Sequence, residues 1–421
     1  MANGSGPEPV IQELRARTAD FVRDVAEPAE AAMLSGTGAP DDRLRRALQQ
    51  RARAAGIFAP TAPRALGGLG LDLCGQSVVL ETAGRSLLGP LALNCAAPDE
   101  GNMHLLARTA TPDQRRRYLE PLVEGAVRSC FAMTEPAPGA GSDPSQLATR
   151  ARRARGGWVI DGRKWFVTGA DGAAFALVMA RTDRGGGEPE ATVFLVPTGT
   201  PGFEVVRHIP TLDSGFTGGH CEIALTNCAV GDDAVLGHAV GQGFAQAQLR
   251  LEPARLTHSM RWLGLAARAH ETAVRYTCGR TAFGSRLGDL GMVQQQIADN
   301  EIDLAAGRAL VREAAQVLDS GLPGRQETSV AKTFVAEAVG RVVDRAVQMC
   351  GASGLSGELP LAAYLREVRA FRVYDGPSEV HRRSIARRAV RRHGAPDGRP
   401  AESAPTTDTD GAGQVSSGGR A

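Results

Sequence analysis

The sequence predicts a mostly α-helical protein with a small antiparallel β domain set between two helical regions. Three observations predict it. Over roughly the first 126 residues apolar side chains recur at helical spacing. After Val127 the pattern changes to short, β-rich runs bounded by turn residues. From Gly241 to about Arg392 long apolar-periodic segments return with short links, the pattern of an antiparallel four-helix bundle. The expected units are a flexible leader over 1–9, an N-terminal helical domain over 10–126, a middle β domain over 127–240, a C-terminal helical bundle over 241–392, and a tail over 393–421. The tail is rich in Gly, Pro, Ser, Thr and Asp and is expected to be disordered.

In chain order, helices are expected over 10–31, 41–55, 74–85, 101–110 and 112–124, with Asp41 or Asp42 capping the second. Gly67-Gly68-Leu69-Gly70 follows no convincing strand and does not complete GxGxxG, so it is not a dinucleotide fingerprint. Residues 158–160 and 164–168 read as a hairpin turning at Asp161-Gly162. Further strands are expected over 175–180, 192–196, 203–208 and 221–225, some separated by Gly185-Gly186-Gly187 or Pro201-Gly202. The C-terminal helices are expected over 243–278, 290–319, 326–350, 360–372 and 378–390.

Composition excludes several classes. A formal net charge of +2, with both signs spread along the chain, gives no electrostatic case for nucleic acid or a membrane surface. Seven scattered cysteines without a C-x-x-C pair argue against zinc and disulfide frameworks and fit a reducing cytoplasm. The N-terminal stretch lacks the basic start and apolar core of a signal peptide, and no apolar run reaches transmembrane length. Lys164 and Lys332 are the lysines in an otherwise Arg-based set of cations, which reads as a genomic base bias. His208, His220, His258, His270 and His381 lack ligand spacing and are assigned structural or surface roles. No GxSxG suggests a hydrolase.

Three stretches can carry chemistry. The Pro/Gly-rich loop at 131–143, FAMTEPAPGAGSD, can bring backbone N–H groups close to a flat or anionic ligand. Phe166 and Thr168, two residues apart at a strand end, are expected on one face. Asp375, in Tyr374-Asp375-Gly376-Pro377, has two readings: an N-cap with Pro at the helix start, or a carboxylate facing a cavity at the helix entrance.

In this order the stretches resemble the acyl-CoA dehydrogenase family, over roughly residues 10–392. Asn94-Cys95-Ala96-Ala97-Pro98-Asp99, Gly101-Asn102-Met103 and Leu119-Glu120-Pro121-Leu122 resemble the subgroup whose eukaryotic members carry the dehydrogenase behind a kinase-like domain. The resemblance implies that Phe131, Met133, Thr134 and Ser142, with Phe166, Val167 and Thr168, lie against the flavin of FAD, with the Thr168 hydroxyl near flavin N5. It implies Asp375 as the base that abstracts the α-proton, Pro377 and Glu379 near the cofactor, and Ser142, Arg255, Tyr374 and Gly376 at the substrate. Arg280-Thr281-Ala282-Phe283-Gly284 and the segment from Gln348 to Gly351 resemble motifs that reach the FAD of a neighbouring subunit, which implies a homodimer or homotetramer. Departures are two extra residues in the 131–143 loop, Gly291 where a Gln is common, and Ala352 where a second Gly is common. An alternative family position for the base is Ala254 here, and Glu252 lies nearby but out of register.

The implied reaction is FAD-dependent α,β-dehydrogenation of an acyl-CoA thioester to the 2,3-enoyl product, with an electron-transferring flavoprotein as acceptor. Because Asp is one methylene shorter than Glu, a branched or substituted acyl chain is expected. The same resemblance leaves open a flavin oxidase of the nitroalkane-oxidase type, a substrate carried on a carrier protein, and a non-catalytic flavin-binding assembly partner. Flavin monooxygenases of this fold usually lack the carboxylate, so Asp375 argues against them.

Overall fold

The computed structural model describes residues 8–36, 39–182, 190–213 and 216–394. Most of the expected leader, the glycine run at 185–187 and the tail from residue 395 onward lie outside the described residues. Helix begins at Glu8, so the last two residues of the expected leader are already helical.

The regular elements of the N-terminal domain are all helices. Asp41 is the cap of the Asp42–Ala54 helix, accepting from the Leu44 N–H at 2.7 Å. Asp72 does the same for Leu73–Ala83, accepting from Gly75 at 2.8 Å. The glycine-rich stretch before it is thus a turn into a helix. Leu73–Ala83 packs against the 37-residue helix Gly243–Gly279. The crossing is close because it is built on glycine. A Cβ on Gly84 would meet the Arg261 carbonyl at 2.1 Å, and one on Gly264 would meet that of Glu81 at 1.9 Å. This contact fixes the helix at Arg261 and Gly264 against the N-terminal domain.

The middle domain holds one seven-stranded sheet: β1 Ser129–Ala132, β2 Arg150–Ala154, β3 Gly157–Thr168, β4 Phe175–Thr182, β5 Glu190–Pro197, β6 Phe203–His208 and β7 His220–Gly231. The expectation of an antiparallel β domain holds for most pairings and is corrected at two. β1 and β2 both run parallel to β4, and the remaining pairings are antiparallel. The hairpin is also corrected. Asp161-Gly162 lies inside the continuous strand β3, at an irregularity in its pairing with β7. The turn is at Arg155-Gly156, between β2 and β3. On β4, Phe175, Leu177 and Met179 join the helical core, whereas Ala176, Val178 and Ala180 join a second core within the β domain.

In the C-terminal domain Gly243–Gly279, Gly291–Asp319 and Arg325–Cys350 pack on one another. Leu361–Ala370 and Ser378–His393 pack on Arg325–Cys350. Two chain segments therefore converge where the domains meet: 250–262 of the long helix, and the 371–377 link between the last two helices.

Candidate active site

Asp375 sits in that link, and its backbone is held from three sides. Arg255 Nε and His381 Nε2 both lie 3.1 Å from the Asp375 carbonyl oxygen. Lys332 Nζ donates to the next carbonyl, Gly376 O, at 2.7 Å. Asp375 itself has φ +53°, a left-handed conformation costly for a side chain with a Cβ. Gly376 follows at φ +92°, and a Cβ there would meet His381 Nε2 at 2.9 Å. The N-cap reading of Asp375 does not hold. The helix starts at Ser378 after Pro377, without a side-chain cap.

The carboxylate is treated differently from its backbone. Oδ2 of Asp375 is buried and has no hydrogen-bond partner. His258 Nε2 approaches it to 3.3 Å, off the hydrogen-bonding axis. Burial, aided by the charges of Arg261, Arg250 and Lys332, holds His258 well below its usual 6.5, so the imidazole is neutral. Lys332 is pushed down to about 8 by burial, against the pull of the Asp375 charge. Aromatic rings wall the site. His258 lies 5.0 Å from Tyr374 and 5.9 Å from Phe371, and Trp262 Nε1 donates to the Tyr374 hydroxyl.

Arg250 is a further cation here. It bonds Asn102 Oδ1 at 2.7 Å and stacks over the Phe131 ring at 4.2 Å. A cavity of about 80 Å³ extends from His258 and Trp262 to Asp99, Arg128, Phe216 and Thr217. Two polar atoms on its lining residues are buried without partners, Arg261 Nη2 and Thr217 Oγ1.

The 131–143 loop is anchored through Glu135. Its buried carboxylate pairs with Lys164 Nζ at 2.7 Å and accepts from the N–H groups of Ala140, Ala148 and Thr149. Burial alone would raise its pKa, but Lys164 and these hydrogen bonds bring it down to about 2. Lys164 also donates to Met133 O, and Thr134 O accepts from Trp165 N–H, so the loop is tied along β3. Ser142 is exposed at the far end of this loop.

On β3 the strict alternation assumed for Phe166 and Thr168 is interrupted. The pairing shifts between Lys164 and Val167, and Phe166 has φ +50°. The Phe166 ring is exposed and lies 4.8 Å from that of Trp165, and Thr168 is half-buried. The Val167 side chain lies in the β core, so this residue can offer a cofactor only its main chain.

The structure brings together Asp375, Tyr374, Gly376 and Arg255, with Arg255 gripping the Asp375 backbone. It does not bring Arg280, Phe283, Gln348 and Gly351 to them. Arg280 follows His258 by 22 residues along one helix, roughly 33 Å at 1.5 Å per residue. Phe283 and Gly284, both at positive φ, form the tip of a two-residue ladder, and Phe283 is 95% exposed. Gln348 and Gly351 are exposed at the end of Arg325–Cys350, and Glu379 is exposed in the first turn of the last helix. Sequence reasoning missed His258, Lys332, Arg250 and Lys164. His258 was set aside for lacking ligand spacing, although it lies one helical turn after Arg255 on a segment already singled out.

The chain matches the acyl-CoA dehydrogenase N-terminal domain over residues 9–126, the middle domain over 130–228 and the C-terminal domain over 241–390. It is 40% identical over 329 residues to a probable acyl-CoA dehydrogenase FadE2 of Mycobacterium tuberculosis, covering 77% of this chain and 80% of that protein. The chain belongs to the acyl-CoA dehydrogenase family. It is therefore a family oxidoreductase. It is also 33% identical to acyl-CoA dehydrogenase family member 10 of Mus musculus, over 91% of this chain but 37% of that longer protein. A putative acyl-CoA dehydrogenase from Mycobacterium abscessus superposes with a TM-score of 0.85 at 36% identity, covering 92% of this chain and all of that one. Among the described residues no helix is long and apolar enough to cross a membrane.

Proposed function

We propose that this chain is an FAD-dependent dehydrogenase that converts an acyl-CoA thioester to its 2,3-enoyl product, with Asp375 abstracting the α-proton. The observation that carries this is the contrast at Asp375: a backbone clamped in a strained conformation, and a buried carboxylate oxygen left without a hydrogen bond. Such an oxygen is oriented for a partner from outside the chain.

The residues fit a flavin. An exposed aromatic at Phe166, the hydroxyls of Thr134 and Thr168, and a loop pinned by a buried ion pair present a flat, polar-edged surface. Phe131, Met133 and Ser142 frame it, with the Val167 main chain and Pro377 beside it in this reading. A glutaryl-CoA dehydrogenase from Mycobacterium smegmatis, which shares the fold with a TM-score of 0.81 at 22% identity, holds FADH2. When bound, FAD supplies the acceptor for the β-hydride. Asp375 takes the α-proton. Lys332, Arg255 and Arg250 surround it with positive charge, and Trp262, Phe371 and Tyr374 exclude water.

The unpartnered Arg261 and Thr217 atoms favour an acyl chain carrying a hydrogen-bonding substituent over a plain hydrocarbon. The exposed Arg280, Phe283, Gln348 and Gly351 serve the cofactor of a second copy in this reading, which makes the enzyme a homo-oligomer. An electron-transferring flavoprotein is the proposed acceptor.

Anaerobic addition of a panel of acyl-CoAs to the yellow protein tests the proposal. Bleaching by a thioester is expected. A flavin-loaded protein that no thioester bleaches would count against it.

A further inference from the structure

Behind Thr168 lies a chain of polar groups that the reaction at Asp375 does not use. Thr168 is the last residue of β3 and pairs directly across the sheet with His220, the first of β7. Its Oγ1 is 3.0 Å from His220 Nδ1. On the other side of the ring, His220 Nε2 is 3.2 Å from Asp213 Oδ2. The His220 and Asp213 side chains are 12% and 7% exposed, so the chain is shielded along its length yet not sealed. It ends at an open pocket of about 580 Å³ lined by His220, Asp213, Asp171 and His208. At the rim of that pocket a second pair, His208 and Asp171, lies 3.0 Å apart and is exposed. Both nitrogens of His220 are thus engaged, one toward the cofactor face and one toward solvent. That is the arrangement a proton relay needs and a simple strand lock does not.

We infer that Thr168, His220 and Asp213 form a relay that carries to solvent the proton released when the bound cofactor is reoxidised. The inference rests on the reading of Thr168 as the hydroxyl facing flavin N5. The hydride brings two electrons and one proton to N5. Both electrons leave to a one-electron acceptor protein in two transfers, and the proton must leave separately. Thr168 Oγ1 takes that proton while its own O–H bond breaks, and a new Nδ1–H bond forms on His220. His220 is then an imidazolium with Nε2–H directed at the Asp213 carboxylate. Burial opposes the charge on Asp213, but its hydrogen bond and charge contact with His220 outweigh this and lower its pKa, so it is ionised and ready to hold the imidazolium. Loss of the Nε2 proton past Asp213 to the pocket leaves neutral His220 as its Nδ1–H tautomer, and exchange of the ring protons with pocket water restores the Nε2–H form.

Several other groups face this path. Arg128 bonds Gly169 O at 2.8 Å and Asp171 O at 2.7 Å, and its charge is met by Asp42. Asp41 and Asp42 line the same pocket. Tyr374, on the Asp375 link, feels the Asp213 charge. The Phe216 ring packs 5.1 Å from that of His220.

The test follows reoxidation of the reduced, flavin-loaded protein by ferricenium and its solvent deuterium isotope effect, together with the flavin absorption and midpoint potential, in wild type, His220→Gln, Asp213→Asn and Thr168→Val. Reoxidation is expected to slow on the order of 100-fold in His220→Gln, and by less in Asp213→Asn, with the isotope effect changed in both. Unchanged reoxidation and an unchanged isotope effect in His220→Gln would overturn the relay. Thr168→Val separates the two levels of the argument. If it leaves the flavin absorption and potential untouched, the placement of Thr168 at the flavin is wrong. If it shifts them while His220→Gln changes nothing, only the relay is wrong.

Discussion

His258 Nε2 lies 3.3 Å from Asp375 Oδ2, and neither atom makes a good hydrogen bond to the other. A neutral imidazole therefore stands beside the proposed base as a polar wall, not as a counter-ion. Its pKa is held well below 6.5 in the fold, so unfolding lets it take up a proton. Its contribution to stability is present above the unfolded value and is lost as pH falls toward the folded one. From this group alone, stability is expected to drop by up to about 1.4 kcal/mol per pH unit below 6.5. Urea unfolding at pH 7 and pH 5 checks it. His258→Gln is expected to flatten the difference, and an unchanged difference would contradict the account.

Glu252 is the nearest competitor to Asp375, since its Oε1 is also buried without a partner. It precedes Arg255 by one turn of the same helix. The geometry commits to Asp375, whose backbone is clamped. Glu252→Gln is expected to slow anaerobic bleaching by less than about three-fold, against about 100-fold or more for loss of a general base. Stopped-flow reduction with one thioester separates the two.

Glu135 and Lys164 are a buried ion pair that holds the 131–143 loop to β3. Glu135→Gln leaves a buried ammonium without its carboxylate and is expected to cost about 3–5 kcal/mol. In the intact protein the Glu135 carboxylate, with a folded pKa of about 2 against an ordinary 4.5, contributes stability that is full above 4.5 and lost as pH falls through 2. Chemical unfolding of the variant at neutral pH, and of wild type from pH 5 to 2, measures both effects. A variant as stable as wild type would remove the loop-anchor role.

Arg280 lies roughly 33 Å along its helix from His258, too far to serve the cofactor beside its own Asp375 without spanning the domain. If it serves the neighbouring subunit, Arg280→Gln should weaken FAD binding by about ten-fold or more, from loss of a charge-assisted hydrogen bond. Mixing Arg280→Gln with Asp375→Asn subunits should restore activity, because one hybrid site then has both groups. Failure of hybrids to regain activity would place Arg280 outside the neighbour's site.

Much of this arrangement was legible in the residues. The order of domains followed from the change between helical and alternating periodicity, whereas the residues around Asp375 left it between an N-cap and a cavity-facing carboxylate, and only the resemblance of Asp-Gly-Pro to the family's segment singled it out as a base. The polar strand β2, RARRA, was missed because its charged residues mask the alternation, with Ala151 its buried position. Asp161-Gly162 was misplaced because a bulge and a turn use the same residues. The parallel pairing of β1 and β2 with β4 depends on long-range contacts that no local pattern carries. A further signal lay in plain view: in a chain that uses Arg almost everywhere, Lys164 and Lys332 are both fully buried. Each places a compact ammonium on a backbone carbonyl of a site loop, Met133 O in one case and Gly376 O in the other.

The central claim is that Asp375 removes the α-proton. Anaerobic titration of Asp375→Asn with the best acyl-CoA tests it most directly, followed by flavin absorbance alongside exchange of the substrate α-hydrogen with deuterated water. The account predicts that the variant keeps its flavin and binds the thioester, yet loses bleaching and exchange on the order of 1,000-fold. Bleaching and exchange at the wild-type rate would contradict it.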